Sequence, residues 1–374
     1  MSVFDELFVL ELANNHLGSL DRGLKIVHDF GAVVSANQVR AAIKLQFRDV
    51  DSFIHKQHRA RKDVRYIKKV AATHLAWDEL RALVEEIRAQ GMVTMTTPFD
   101  EMSVDKAVEF GVDLLKVASS DIRDKRLLRK IAAAGKPVIA STGGSSLADV
   151  DNLVELFAKA GVPFALNHCV SIYPSEDSEL DLNQIDFLRA RYPDTTIGFS
   201  SHEKTDWSSS ILIAYGKGAR TFERHIDIED DGVVVSPYCT TPAQADTWFK
   251  AFNKAREMCG ASAEAKRRPP QKEVRYLDEL VRGVYARRDL QAGDVLTDDD
   301  IYLAVPLLHG QLSCREFSTG EVLKGPMLRD EPIFLCDVDS DYANDLTLQR
   351  LVVDRGVADP PMTVSSPVKR VAFG

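Results

Sequence analysis

The chain has 374 residues, 45% of them hydrophobic, which allows one large core and a smaller second domain. Its formal charge is −9, from 47 Lys and Arg against 56 Asp and Glu, so it has no broad cationic surface for nucleic-acid phosphates, and no nucleic-acid partner is expected. No run approaches the roughly 18 apolar residues of a membrane-spanning helix, and the acidic start MSVFDELFVLELANN is unlike a signal peptide, so no membrane partner is expected either.

Eight short apolar runs alternate with segments of helical spacing between residue 7 and about residue 258. In chain order the runs are Phe8–Leu12, Ala41–Phe47, Met92–Thr97, Leu114–Ala118, Pro137–Ser141, Phe164–His168, Thr196–Ser200 and Thr221–His225. Between them Trp77–Gln90, Lys125–Ala134, Leu147–Ala160 and Gln244–Met258 are rich in strong helix formers. Strand-then-helix repeated eight times over about 250 residues predicts an α/β fold, a (β/α)8 barrel spanning residues 1–259, in preference to a doubly wound open sheet.

Residues 260–275, GASAEAKRRPPQKEVR, are polar, charged and carry a Pro-Pro pair, which predicts a linker. A small β-rich domain is expected over 276–335, with Gly283–Arg288 as a strand, a turn at Gln291–Asp294 and further turns near Gly320 and Gly325. The tail 336–374 shows little periodicity and is expected to be loosely ordered or docked on a partner surface. The five cysteines, Cys169, Cys239, Cys259, Cys314 and Cys336, are an odd set without CxxC spacing, which points to a reducing cytoplasm.

In such a barrel the catalytic groups project from the C-terminal strand ends, and here those ends are polar. They offer Glu11, Asn14, Asn15 and His16; Lys44 and Gln46; Thr96 and Thr97; Lys116, Ser119 and Asp121; Ser141 and Thr142; Asn167, His168, Ser171 and Tyr173; Ser200 and His202; Glu223, Arg224 and His225. Lys44 and Lys116 sit in apolar strands and would lose solvation unless an anion waits for them. With the hydroxyls of Thr97, Ser119, Ser141 and Ser200 they would form a convergent donor set for a phosphorylated, carboxylated ligand. His202 and His225 end consecutive strands, so two neutral imidazoles can share one cation and leave positions open for water and substrate. Glu223, two residues before His225, faces the same side and can act as a base or orient a ligand.

The stretches ELANNHLGSLDRGLKIV, AIKLQF, TTPFD, LLKVASSD, ASTGG, HCVSIYP, IGFSSHE and FERH, in this order, resemble the successive motifs of the sialic acid synthase family. RGVYARRDLQAGDVLTDDDI resembles the antifreeze-like (SAF) domain that follows the barrel in that family. The resemblance implies an enzyme that joins phosphoenolpyruvate, through C3, to the aldehyde of an N-acylated hexosamine such as N-acetylmannosamine. The products would be a 2-keto-3-deoxy sugar acid and phosphate, with water attacking C2 and the C–O bond breaking. It implies that Lys44, Thr97, Lys116, Ser119, Ser141, Tyr173 and Ser200 hold phosphoenolpyruvate, joined by Ser171 on the substrate. His202 and His225 would bind a divalent metal, typically manganese, with magnesium, cobalt or iron as alternatives. Glu11, Asp121 and Glu223 would face the sugar as catalytic carboxylates. It also implies a head-to-tail homodimer whose small domain covers the partner's barrel mouth.

Several sugar-facing positions depart from the family pattern. Asp121 stands where glutamate is frequent, and Ser171 where asparagine is usual. IDIEDDGVVVSPYCTTP lacks a glycine-proline-aspartate turn, and in LAVPLL the residue Val305 takes the place of an arginine. Arg224, Arg315 or a tail residue are the candidates to replace that arginine. The donor half of the chemistry is therefore better supported than the acceptor. Two other readings stay open: a metal-free Schiff-base aldolase using Lys116 or Lys44, and a catalytically silent sugar-binding barrel.

Overall fold

A computed structural model describes residues 2–230, 232–260, 265–340, 342 and 345–357. The chain divides into two compact units, Met1–Ala261 and Ser262–Gly374.

In the first unit eight parallel strands close into a barrel: β1 (Leu7–Ala13), β2 (Arg40–Phe47), β3 (Val93–Pro98), β4 (Leu114–Val117), β5 (Val138–Ser141), β6 (Phe164–Cys169), β7 (Thr196–Ser201) and β8 (Thr221–His225). Closure runs through the β1–β8 pairing, in register from Leu7 opposite Thr221 to Glu11 opposite His225. The side-chain period of two sorts each strand into two faces. On β1 the outward set Phe8, Leu10 and Leu12 joins the core between barrel and helices, while Leu7 and Val9 join a separate cluster with Ala42, Met95, Leu114, Ile139 and Ala165 that plugs the bottom of the barrel. Phe8 is the aromatic hub of the closing side, with edge-on contacts to Trp248, Phe249 and Phe252 of the helix Pro242–Cys259 at 4.7–4.9 Å between centroids. No helix among the described residues is long and apolar enough to cross a membrane.

The second unit pairs β9 (Gly283–Ala286) with β10 (Ile301–Ala304), and β11 (Val322–Leu323) with β12 (Val338–Asp339), both antiparallel, over a core that includes Val284, Leu296, Leu312 and Ile333. Two expectations need correcting. The expected linker contains the start of a helix, Gln271–Asp278, because Pro270 occupies its N-cap and the following KEVRYLD favours helix. The expected loose tail is in part structural. Val338 completes the β11–β12 pair, Val352 of the helix Leu346–Val353 is buried in the unit's core, and buried Arg355 pairs with Glu316. The rest of the tail, 358–374, lies outside the described residues.

Candidate active site at the barrel mouth

Above the apolar plug the inward positions turn polar, strand by strand. Continuing the same alternation, β1 presents Glu11, β2 Lys44 and Gln46, β3 Thr97, β4 Lys116, β5 Ser141, β7 Ser200 and β8 Glu223 and His225. All of them line one cavity of about 830 Å3 at the C-terminal ends of the strands.

Its floor is an alternating lattice of charge. Lys44 pairs with Glu11 and lies 3.3 Å from Glu223, and Lys116 lies 3.5 Å from Glu223 on the other side. All four side chains are at most 5% exposed. Thr97 Oγ1 accepts from Lys44 at 3.3 Å and Ser141 Oγ from Lys116 at 2.6 Å. Burial lowers the Lys44 ammonium to about 8 against the pull of Glu223, which leaves it charged at neutral pH. Burial opposes ionisation of Glu223, but Lys116 and Lys44 outweigh it and hold the carboxyl below its ordinary range. Gln46 carries the network outward, donating to Glu11 at 3.2 Å and accepting from Arg48 at 2.9 Å.

One wall is aromatic. The rings of His202 and His225 lie 5.4 Å apart, with Tyr173 4.1 Å from His202 and Tyr238 5.3 Å from His225. His202 Nδ1 is 2.9 Å from the Val170 carbonyl oxygen, to which it must donate, so Nε2 keeps its lone pair. Burial lowers His202 to about 4, and burial with the neighbouring His202 and lysines puts His225 well below the usual histidine range; both imidazoles are neutral, the form that binds metal. The opposite wall is built of hydroxyls. Ser119 Oγ accepts from the Gly143 backbone N–H at 3.0 Å, and a Cβ on Gly143 would collide with the Ser119 and Ser171 hydroxyls, so this approach requires glycine.

Of the residues singled out in the sequence, Glu11, Lys44, Thr97, Lys116, Ser119, Ser141, Ser171, Tyr173, Ser200, His202, Glu223 and His225 line the cavity, whereas Asp121 does not. The wall passes through Ser119 and Ser120, and Asp121, the last residue of the same short 3-10 turn, stands just behind it, close enough for Arg48 and Lys116 to favour its charged form against burial. Arg224 is no substitute for the missing family arginine. Its side chain is 0% exposed and committed to Glu203, Ser201 and Thr240 on the outward face of β8. Arg315 pairs with Asp278 in the second unit, and Val305 is exposed there. Parity also removes His168 from the site, its Nε2 lying 2.7 Å from the Leu180 carbonyl oxygen. The sequence reading missed Arg48, Tyr238 and the trio Arg65, Tyr66 and Lys69. Arg48 was within reach of the alternation, standing two residues past Gln46.

Known proteins agree with this architecture. A crystal structure of a spore coat polysaccharide biosynthesis protein E from Chromobacterium violaceum superposes with a TM-score of 0.85 at 35% identity, covering 90% of this chain and all of that one. The N-acetylneuraminic acid synthetase of Leptospira borgpetersenii, solved with citrate, gives a TM-score of 0.64 at 26% identity over 73% of this chain and 91% of its own. The pseudaminic acid synthase of Campylobacter jejuni is 24% identical over 84% of this chain and 94% of its own. Residues 281–338 match the SAF domain. The NeuB family model matches residues 33–262, the larger part of the barrel, and the chain belongs to the NeuB family.

Proposed function

We propose that this protein condenses phosphoenolpyruvate with the aldehyde of an aldose, forming a 2-keto-3-deoxy sugar acid and phosphate. The observation that carries the proposal is the buried pair Lys44 and Lys116, aimed with Thr97 and Ser141 into a cavity whose facing wall is a neutral histidine pair. The kinship with sugar-acid synthases supports the reaction type. In this reaction C3 of phosphoenolpyruvate bonds to the aldehyde carbon, water adds at C2, and the C2–oxygen bond to phosphate breaks.

The chain's own groups divide the work. Lys44, Lys116 and the hydroxyls of Thr97, Ser119, Ser141, Ser171 and Ser200 hold the phosphate and carboxylate of phosphoenolpyruvate, with Tyr173 closing the lip. Glu11 and Glu223 orient acceptor hydroxyls, and a carboxylate there can take the proton of the water that adds at C2 while the aldehyde oxygen gains one to become a hydroxyl. The residues fit a divalent metal. His202 and His225 would hold it, and since no cluster of three or more His, Cys, Asp or Glu among the described residues can bind a metal, substrate and water would complete its coordination. When bound, manganese, or magnesium, cobalt or iron in its place, polarises the aldehyde oxygen as negative charge develops there. A cytoplasmic homodimer with the small domain over the partner's barrel belongs to the same proposal and rests on the resemblance.

Incubation with manganese, phosphoenolpyruvate and a panel of aldoses should release phosphate with at least one acceptor, and chelation or His225→Ala should abolish release. Full turnover in metal-stripped His225→Ala, or a lysine trapped by borohydride with pyruvate, would establish the Schiff-base alternative instead. Sugar binding without phosphate release under any aldose would establish the silent barrel.

A further inference from the structure

The ladder that joins β7 to β8 pairs Phe199 with Phe222 and Ser200 with Glu223, and its last pair is Ser201 with Arg224. His202 is the next residue, just past the end of β7, whereas His225 is still inside β8 and stands opposite Glu11 of β1. The two imidazoles, 5.4 Å apart, are therefore carried by one segment within the barrel wall and one just beyond it. Backbone pairing between β7 and β8 stops short of the histidines.

What spans that gap is the side chain of Arg224, on the face of β8 turned away from the cavity. Its Nη1 donates to Ser201 Oγ at 3.2 Å and to the Glu203 carboxylate, and its Nη2 donates to the Glu203 carbonyl oxygen at 2.6 Å. One guanidinium thus grips the residues immediately before and after His202. On its other side Nε donates at 2.9 Å to Thr240 Oγ1, and the Thr240 backbone N–H donates at 2.8 Å to the His225 carbonyl oxygen. Both ends of this brace are held in turn: Ser210 Oγ donates to the Glu203 carboxylate, and Trp207 Nε1 donates to Thr240 Oγ1 at 3.2 Å.

Stability alone does not call for such a group. The Arg224 and Glu203 side chains are 0% and 2% exposed, and at that depth desolvation offsets so much of the attraction that an apolar pair of similar volume holds a core as well. A planar, rigid fork differs from an apolar pair in fixing directions, and here its contacts diverge onto the two strand ends that carry the histidines. The demand for precision there is steep. Two imidazole nitrogens that share a cation each lie about 2 Å from it, so a shift of about 1 Å at one strand end removes a ligand.

We propose that Arg224, with Glu203 as its counter-charge, is a positioning residue that sets the separation of His202 and His225 for a shared divalent cation. Arg224 lines no part of the cavity and acts through the two histidines. The role rests on the metal site proposed above.

The test is manganese titration of the intact protein followed by electron paramagnetic resonance, with thermal melts and a phosphoenolpyruvate titration in the absence of metal. The charge-free double variant R224M/E203L should recover much of the stability lost in Arg224→Ala and bind phosphoenolpyruvate as the native protein does, yet bind manganese about 10–100-fold more weakly. Thr240→Val, which leaves the ion pair in place, should weaken manganese by about threefold or more. Native manganese affinity in both folded variants would overturn the proposal, as would a double variant that loses phosphoenolpyruvate to the same extent, the mark of a mouth loosened throughout. A metal-free crystal structure of the double variant reads the spacing directly: imidazoles displaced by about 1 Å support the positioning role, and an unchanged spacing refutes it. A native protein that binds manganese no better than His225→Ala sinks the metal site, and the spacing then decides the role of Arg224 by itself.

Discussion

Glu223 sits between two buried ammonium groups, at 3.3 Å from Lys44 and 3.5 Å from Lys116, so it competes with any anion those lysines would bind. Replacing it with glutamine keeps the shape and removes the charge. An anion seated across the lysines from Glu223 lies about 7 Å from it, where like-charge repulsion amounts to about 2 kcal/mol at an effective dielectric constant near 20. Glu223→Gln should therefore bind phosphoenolpyruvate roughly 30-fold more tightly while turnover falls. The same change leaves Lys116 buried without a carboxylate, which should cost about 3 kcal/mol of stability and lower the melting temperature by about 6–12 °C. Saturating phosphoenolpyruvate should restore more of that loss in the variant than in the native protein. Calorimetry and thermal melts read both effects; unchanged or weakened phosphoenolpyruvate affinity in a folded variant would refute the placement of the anion between the lysines.

The Arg224–Glu203 pair also predicts an effect on stability. With both side chains at most 2% exposed, Arg224→Ala strands a buried carboxylate and should cost about 3–5 kcal/mol in urea denaturation, much of it recovered in the double variant R224M/E203L; a cost under about 1 kcal/mol would contradict this role. In the second unit, burial raises the Glu321 carboxyl from 4.5 to about 7, and one of its oxygens has no partner. A raised carboxyl favours the protonated folded form, so its stabilisation is full below about pH 4.5, is lost as pH rises to about 7, and is worth up to about 3 kcal/mol. Glu321→Gln should flatten the pH dependence of unfolding across that window, and an unchanged slope would remove Glu321 as its source.

How much of this was legible beforehand depended on periodicity. The eight strands announce themselves as apolar runs between helix formers, and the step of two along each strand leads from the apolar plug to Glu11, Lys44, Thr97, Lys116, Ser141 and Glu223 without further information. Where a side chain lies beyond the strand, that step fails. Asp121 sits in a 3-10 turn that carries it out of the wall, and Arg65 and Lys69 reach the mouth from a helix whose register against the barrel no strand pattern encodes. Arg224 adjoins Glu223 in the sequence, but adjacent residues on a strand face opposite sides, which turns Arg224 away from the cavity. The tail's contribution to the second unit was hidden for a different reason: a two-residue strand and an eight-residue helix are too short for periodicity to register.

The central claim is that phosphoenolpyruvate is consumed by carbon–carbon bond formation with loss of phosphate through the carbon–oxygen bond. Phosphoenolpyruvate carrying a heavy oxygen isotope at the bridging position, turned over with an accepted aldose, tests it directly by mass spectrometry of both products. The account predicts that the label leaves in the phosphate and that the sugar acid gains the three carbons of the donor; label retained in the organic product, or phosphate released without a sugar acid, would contradict it.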